Sequence, residues 1–117
     1  MSQATVSVLT NPANIAAESD WGIIPAMLEG ESHTRGVLLH KGENGESECG
    51  VWECTPGYWQ CHVERDEFCH FLSGQCEYIS HSGENIHIEP GTIAFFPAGW
   101  KGTCQVTQTI RKVYMIR

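Results

Sequence analysis

From Arg35 to the C-terminus, short runs of apolar, aromatic and β-branched residues alternate with turns rich in Gly, Pro and Asn. The runs include RGVLLH, CGVWEC, YWQCHV, FCHFL, CEYIS, NIHIE, TIAFFP, TCQVTQ and KVYMIR, and the turns between them include KGENGE, TPG, SG, HSGE and EPG. β-branched and aromatic residues favour strands, and turn residues supply the backbone angles that reversals need. No amphipathic helical pattern interrupts the series. The sequence therefore predicts an all-β sandwich or barrel.

The length of 117 residues predicts a single domain. The first 30 residues are less regular, because Asn11-Pro12 and Ile24-Pro25 interrupt any long element. We expect residues 1–30 to form an N-terminal arm, with one helical turn over 13–18, that lies on the barrel or on a partner subunit. The domain proper is expected over residues 31–117.

The charge balance limits the classes of partner. Fourteen acidic residues against seven basic ones give a net charge of −7, which disfavours a nucleic-acid partner because phosphate binding needs a basic face. The sequence contains no run of about 18 apolar residues, so it does not predict a membrane span. The N-terminus has no basic residue ahead of an apolar run, so we expect a cytoplasmic protein. The six cysteines form no C-x-x-C pair, and reduced packing thiols are expected.

Alternation in YWQCHV divides the strand into two faces, since successive strand side chains point to opposite sides. One face carries the polar set Tyr58, Gln60 and His62, and the other face carries the apolar set Trp59, Cys61 and Val63. Two interpretations stay open at this point. Either the polar face meets solvent and the apolar face meets the core, or both faces are covered and the polar set lines a cavity.

Two motifs resemble those of the cupins. Their first motif has the form G-x5-H-x-H-x3–4-E-x6-G, and GYWQCHVERDEFCHFLSG at 57–74 reproduces the spacing of His62, Glu67 and Gly74. Their second motif begins G-x5-P-x-G, which GTIAFFPAGWKG at 91–102 matches. The resemblance implies a single-domain RmlC-like jelly-roll β-barrel, a pocket inside one end of it, and a homodimer.

One branch of the cupins resembles this sequence more closely than the cupins in general. The segments GVWECTPGYW, RDEFCHFLSG, FFPAGWKGT and RKVYMIR resemble a small single-domain family of largely unknown function that is related to the (S)-ureidoglycine aminohydrolase cupin domain. The resemblance covers roughly residues 30–117. It implies a hydrolase acting on a ureido or amine compound as one possible activity.

The metal motif is incomplete. Metal cupins supply His, His, Glu and His, and the corresponding positions here hold Gln60, His62, Glu67 and Gly102. His62 and Glu67 remain as ligands for a divalent Mn, Fe, Ni or Zn ion, with the Gln60 carbonyl as a weak third. In the aminohydrolase pattern, Gln60 takes the place of a Glu, Asp66 that of a His, and the family's Gln falls near Lys101, so that pattern is also only partly kept.

His62 and Glu67 are the candidate catalytic pair, because a neutral imidazole can act as a base or a ligand near pH 7. A charged Glu67 inside a barrel needs a counterion, and Lys101 or Arg111 is the expected partner. We assign four residues to ligand binding, of which the last is expected to cap the barrel mouth: Tyr58, Gln60, Lys101 and Trp100. Cys69 shares the face of Glu67 and is expected, like Cys104, to be a packing residue.

These features leave three functions open. The first is a cupin that binds a small polar metabolite, such as an amide or an amino acid derivative, in the barrel. The second is a metal-dependent hydrolase or lyase in which His62 and Glu67 hold the ion that activates water. The third is a non-catalytic accessory or structural subunit.

Overall fold

The computed structural model describes residues 4–117. It contains nine strands and one short 3₁₀ turn (Glu43–Gly45). The strands are β1 (Ser19–Ile23), β2 (Met27–Glu29), β3 (His33–Lys41), β4 (Glu48–Cys54), β5 (Gly57–His62), β6 (Glu67–Ser80), β7 (Asn85–Ile88), β8 (Ile93–Phe96) and β9 (Lys101–Ile116). The prediction of an all-β fold is confirmed. No helix within residues 4–117 is long and apolar enough to cross a bilayer.

All strand pairs are antiparallel, and the two longest strands organise the sheet. One edge of β9 pairs with β6 along most of its length. Its other edge pairs with β5 in its first half and with β4 in its second half. The free edge of β6 pairs with β7 and β8. The order β1-β3-β4-β9-β5-β2 completes the sheet. Because a long twisted sheet of this kind curls upon itself, one of its faces becomes the interior.

The sequence predicted two strands, FCHFL and CEYIS, separated by a turn at Ser73-Gly74, whereas the structure has one strand, β6. Gly74 has a φ of +87°, and the register between β6 and β9 shifts on both sides of it. A β-carbon there would lie 2.1 Å from the carbonyl oxygen of Thr109. The glycine therefore forms a bulge that bends a continuous strand.

The stretch predicted as an N-terminal arm contains two strands of the sheet. β1 pairs with β3, and β2 pairs with β5. A helical turn begins at Asn11, whose carbonyl accepts hydrogen bonds from the amides of Asn14 and Ile15, two residues earlier than predicted. Within residues 4–30, the longest stretch outside the sheet is therefore 4–18.

The core lies inside the curl and is built from inward-facing residues of β4 to β9. Its buried members are Cys54, Trp59, Cys69, Phe71, Cys76, Tyr78, Ile88, Phe96, Cys104, Val106 and Ile110. Several cysteines are among them, and all six thiols of the chain are free. The cysteines that lie in the core pack there as small apolar side chains, as expected.

Candidate functional site

A cavity of about 450 Å³ opens at one end of the barrel. Its lining comes from β1, β4, β5, β6, β8 and β9 and from the turn after β5: Trp21, Glu48, Trp52, Trp59, Cys61, His62, Val63, Glu64, Arg65, Glu67, Tyr78, Phe96, Lys112, Tyr114 and Ile116. Aromatic side chains form much of the wall, and charged groups lie among them. A concave cavity in which apolar walls meet converging polar groups is the usual form of a small-molecule site.

An ion pair lies in the wall of this cavity. Glu67 begins β6, Lys112 lies in the second half of β9, and the Lys112 Nζ is 2.6 Å from Glu67 Oε2. The same carboxylate oxygen accepts a hydrogen bond of 3.2 Å from the Cys69 thiol. The side chains of Lys112 and Glu67 are only 9% and 17% exposed, so both charges are largely removed from solvent and depend on each other.

Aromatic rings complete the environment of the ammonium group. The Lys112 Nζ lies 4.4 Å from the centroid of the Trp52 ring and 5.7 Å from that of Phe71. The negative face of an aromatic ring attracts a cation, and more strongly where water is excluded. Lys112 is therefore fixed from two directions, by a carboxylate and by ring faces.

The pair keeps both partners charged. Burial opposes the ionisation of Glu67, yet the Lys112 ammonium and its hydrogen bond outweigh burial and hold the pKa of Glu67 below its usual value. Burial likewise favours a neutral Lys112, but the charge of Glu67 raises the pKa of Lys112 above its ordinary value. Near neutral pH the pair consequently consists of one positive and one negative group, and Glu48, Glu64 and Arg65 are further charged residues of the lining.

The thiols at the cavity are not activated. Burial raises the pKa of Cys61 to about 11 and that of Cys69 to about 12, despite the opposing effect of Lys112. The thiolate is the nucleophilic form of cysteine, and these values leave very little of it near neutral pH. The site is thus not arranged for cysteine-based nucleophilic catalysis.

The remaining wall combines aromatic side chains with further polar and charged groups. The Tyr114 hydroxyl donates a hydrogen bond of 2.6 Å to Glu48 Oε2, which fixes both side chains. Tyr78 and Phe96 pack with ring centroids 4.8 Å apart. The Trp59 Nε1 is buried without a hydrogen-bond partner among the described residues.

Hydrogen bonds connect the turn after β5, which contributes to the cavity lining, to two neighbouring segments. Arg65 donates a hydrogen bond of 2.5 Å from Nη1 to the carbonyl oxygen of Gly45, which ties the β5–β6 turn to the 3₁₀ turn. The amide of Val63 donates to the carbonyl of Trp100, and the amide of Gly99 donates to the carbonyl of Val63. These bonds join the β5–β6 turn to the 3₁₀ turn and to the β8–β9 turn.

The structure places both His62 and Glu67 in the lining of one cavity, where His62 is exposed and Glu67 is largely buried. The four residues assigned to ligand binding are placed differently, since none of them lines the cavity. Gln60 and Lys101 are exposed, and Tyr58 is half-buried. Trp100 packs edge-on against Tyr78 and Phe96, so it supports the core.

The inward face of β5 differs from the one predicted from the motif. Trp59 is buried, and Cys61 and Val63 line the cavity, whereas Gln60 points to solvent. The first of the two interpretations therefore describes Gln60 and the apolar set, whereas His62 of the polar set still lines the cavity. Burying the apolar set gains hydrophobic free energy that burial of Gln60 would not provide.

The prediction that Lys101 or Arg111 is the counterion of Glu67 was also wrong. Lys101 is exposed, and Arg111 pairs instead with Glu53 at 2.9 Å. The partner is Lys112, which the sequence analysis did not single out. Its alternation with Tyr114 and Ile116 along β9 was the signal that could have shown its inward direction.

The donor set does not fit a divalent ion. Glu67 Oε2 is occupied by the Lys112 ammonium, Gln60 points away, and Gly102 has no side chain. Over residues 4–117 no cluster of three or more His, Cys, Asp or Glu side chains is placed to hold a metal. A cation bound at Glu67 would be repelled by Lys112, whereas metal sites normally offer three or more protein ligands.

Solved structures share this fold. A protein of unknown function of the DUF861 family from Pseudomonas syringae pv. tomato str. DC3000 superposes with a TM-score of 0.78 at 18% identity, over 85% of this chain and 43% of that one. The EutQ protein of Clostridium difficile gives 0.62 at 21% identity, over 73% of this chain and 68% of that one. A DUF861 family protein from Thermotoga maritima gives 0.53 at 28% identity, over 55% and 73% of the two chains. The chain thus spans less than half the length of the Pseudomonas protein.

Sequence comparison identifies the family. No curated protein sequence is significantly similar to the chain. The sequence model of the EutQ-like cupin domain, however, matches residues 41–114, which is more than half of the chain and includes every strand from β4 to β8. Together with the curled antiparallel sheet and its end cavity, this match shows that the chain belongs to the EutQ-like cupin domain family.

Proposed function

We propose that this cupin binds a small, uncharged polar metabolite in its end cavity without a metal ion. The observation that carries the proposal is the Lys112–Glu67 pair, 2.6 Å apart in the cavity wall. An internal ammonium group stands beside the carboxylate that a metal cupin would use as a ligand. The pair is thereby neutral overall, and the other charged lining residues, Glu48, Glu64 and Arg65, add no excess positive charge to match an anionic ligand.

The hydrogen-bonding capacity left at the pair suggests the chemistry of the ligand. Both protein contacts of the Glu67 carboxylate involve Oε2, and among the described residues Oε1 accepts no hydrogen bond. An ammonium group has three donors, and Lys112 uses one of them on Glu67. A carboxamide or ureido group would match this arrangement, since its N–H can donate to Oε1 while its carbonyl accepts from Lys112.

The size and the walls of the cavity agree with a small, flat molecule. A volume of about 450 Å³ is toward the lower end of the range of ligand sites. Trp21, Trp52 and Trp59 are part of the wall and offer apolar contact area for a planar group. We therefore expect the polar pair to orient the ligand and the aromatic rings to supply most of the contact area.

The test is a calorimetric titration with small carboxamides and ureido compounds, each compared with the carboxylic acid of the same skeleton. We expect the neutral compounds to bind and the acids to bind more weakly. Glu67→Gln and Lys112→Met should each weaken binding by about tenfold or more, since a hydrogen bond to a charged group contributes about 1.5–3 kcal/mol. Lys101→Met is the matched control, because Lys101 lies on the same strand but is exposed.

Elemental analysis of the same protein separates the alternatives. Near-stoichiometric Mn, Fe, Ni or Zn that is lost in His62→Ala would contradict the proposal and favour a metal-dependent hydrolase of ureido or amine compounds. Equal binding by Lys112→Met and Lys101→Met would also contradict it. No metal and no binding of any compound would favour a structural or accessory subunit.

A further inference from the structure

One side chain reaches the cavity from the edge of the sheet. Trp21 belongs to β1, an edge strand of five residues that pairs with β3 and whose residues are all exposed. Trp21 is nevertheless part of the cavity lining, although 38% of its surface remains exposed. The other two tryptophans of the lining, Trp52 and Trp59, come from β4 and β5, which have neighbouring strands on both sides. The position of Trp21 in the lining therefore needs its own structural explanation.

A β-bulge directs Trp21 toward the cavity. Asp20 and Gly22 lie opposite consecutive residues of β3, so Trp21 between them is an extra residue in the register. Gly22 has a φ of +85°, and its amide donates a hydrogen bond of 2.9 Å to Oδ1 of Asp20. The buried Thr34 hydroxyl of β3 donates a hydrogen bond of 2.9 Å to the carbonyl oxygen of Gly22. Bulges of this kind redirect a side chain, and these two bonds fix the bulge in place.

A glycine on the neighbouring strand makes room for the indole ring. Gly36 lies on β3, and a β-carbon at that position would collide with Cζ3 and Cη2 of Trp21. The six-membered part of the indole thus occupies the place that a side chain at Gly36 would take. The bulge directs the ring of Trp21 over β3, and the glycine allows the ring to lie against the backbone there.

The glycine that Trp21 covers lies in one row with the ion pair. Gly36 is directly opposite Trp52 of β4, and Trp52 is directly opposite Lys112 of β9. Directly opposite residues of neighbouring strands share one face of a sheet, and Trp52 and Lys112 both line the cavity. Neighbouring strands are about 4.8 Å apart, so the backbone under the Trp21 ring lies roughly 10 Å from the backbone of Lys112. The row thus leads from the ion pair past Trp52 to Trp21.

We propose that Trp21 is a specificity-determining residue, and that it selects carboxamide or ureido compounds in which the polar group is attached to a planar ring. This role rests on the proposed function, because the polar group of the ligand would bind to the ion pair. An amide group joined to a six-membered ring, with van der Waals contact at its far end, matches the spacing of about two strands. The ring of such a ligand lies beside Trp52 and reaches Trp21. A planar ring can contact an indole in the offset or edge-to-face arrangements that aromatic pairs prefer.

NMR titration of the full chain with three neutral amides tests this role. Acetamide offers the amide group alone, benzamide adds a planar ring, and cyclohexanecarboxamide adds a puckered ring with the same number of heavy atoms. The unaltered protein should bind benzamide about fivefold more tightly than cyclohexanecarboxamide, a ratio typical of an aromatic contact. Trp21→Ala should remove most of that preference and change the affinity for acetamide by less than twofold. Trp21→Phe should keep part of the preference, because it retains a planar ring.

The same spectra give a second readout and a control. Each indole N–H gives its own signal, and the signal that disappears in Trp21→Phe belongs to Trp21. Benzamide should shift that signal clearly more than acetamide does. Ile23→Ala is the matched control, since Ile23 lies on the same strand and is 46% exposed but is not part of the cavity lining. Circular dichroism melts check that each variant is folded.

Equal affinities for benzamide and cyclohexanecarboxamide in the unaltered protein would overturn the role of Trp21. So would a preference for benzamide that folded Trp21→Ala keeps, or one that Ile23→Ala loses to the same extent. In each of these cases, binding of acetamide that Lys112→Met weakens would leave the proposed function standing. If none of the three amides bound, the proposed function would fail and the role of Trp21 would fail with it.

Discussion

Replacing Lys112 with methionine is expected to lower the free energy of unfolding by about 3–5 kcal/mol, as removal of one member of a buried ion pair generally does. The variant leaves the Glu67 carboxylate, 17% exposed, without its counterion, and the packing of the lysine stem against Trp52 is only partly replaced. Urea denaturation near pH 7, followed by fluorescence and circular dichroism, measures the change.

The double variant Lys112→Met with Glu67→Gln separates lost charge pairing from lost packing. It should recover much of the lost stability, because a neutral amide is much less costly to bury than an unpaired carboxylate. Lys101→Met should change stability by less than about 0.5 kcal/mol, as exposed substitutions usually do. If Lys112→Met and Lys101→Met lowered the free energy of unfolding by equally small amounts, the ion pair would not have the buried position described for it.

The contribution of the pair should depend on pH in a defined way. The pKa of Glu67 is lowered in the folded state, so its contribution is present above the ordinary value of 4.5 and is lost as the pH falls through the folded pKa. The pKa of Lys112 is raised, so its contribution is present below 10.5 and is lost as the pH rises through the folded pKa. Between those limits the stability difference between the unaltered protein and the Lys112→Met variant should stay nearly constant.

Replacing Gly102 with alanine is expected to destabilise the fold by about 2–3 kcal/mol, within the range for overpacked cores. Gly102 stands at the fourth ligand position of the metal cupins. A β-carbon there would lie 2.2 Å from the carbonyl oxygen of Ile79 and 2.7 Å from the Trp100 ring. Because a strand carbonyl cannot turn aside without loss of its ladder bond, β6 or β9 must shift.

Thr103→Ala is the control for Gly102→Ala, since Thr103 is the next residue on β9 and points to the opposite face. Its effect should be below about 1 kcal/mol. Gly102→His, which would restore the missing metal ligand, should be more damaging than Gly102→Ala. A Gly102→His variant that is as stable as the unaltered protein would contradict the close approach of β6 and β9.

Most of the architecture followed from the sequence because strands and turns leave local signals. Runs such as YWQCHV and TIAFFP became β5 and β8 almost as predicted. Ser73-Gly74 was the exception, because a glycine with positive φ fits both a turn and a bulge. Only the pairing of β6 with β9 on both sides of Gly74 distinguishes the two, and that pairing is not local.

The site could be predicted only in part. Alternation correctly separated the two faces of β5, but it does not say which face points inward. The motif favoured Gln60 and His62, whereas the gain from burying Trp59 and Cys61 favoured the other face. The position of Glu67 followed from the motif spacing, but its partner Lys112 is 45 residues away and meets it through the register of β9 on β6.

The central claim is that Lys112 neutralises Glu67 inside the barrel, and a carbon-13 NMR titration of the Glu67 side-chain carboxyl tests it most directly. The account predicts a midpoint below 4.5 in the unaltered protein and a clearly higher midpoint in folded Lys112→Met, where burial acts without the ammonium group. A midpoint at or above 4.5 in the unaltered protein, or one that Lys112→Met leaves unchanged, would contradict the account.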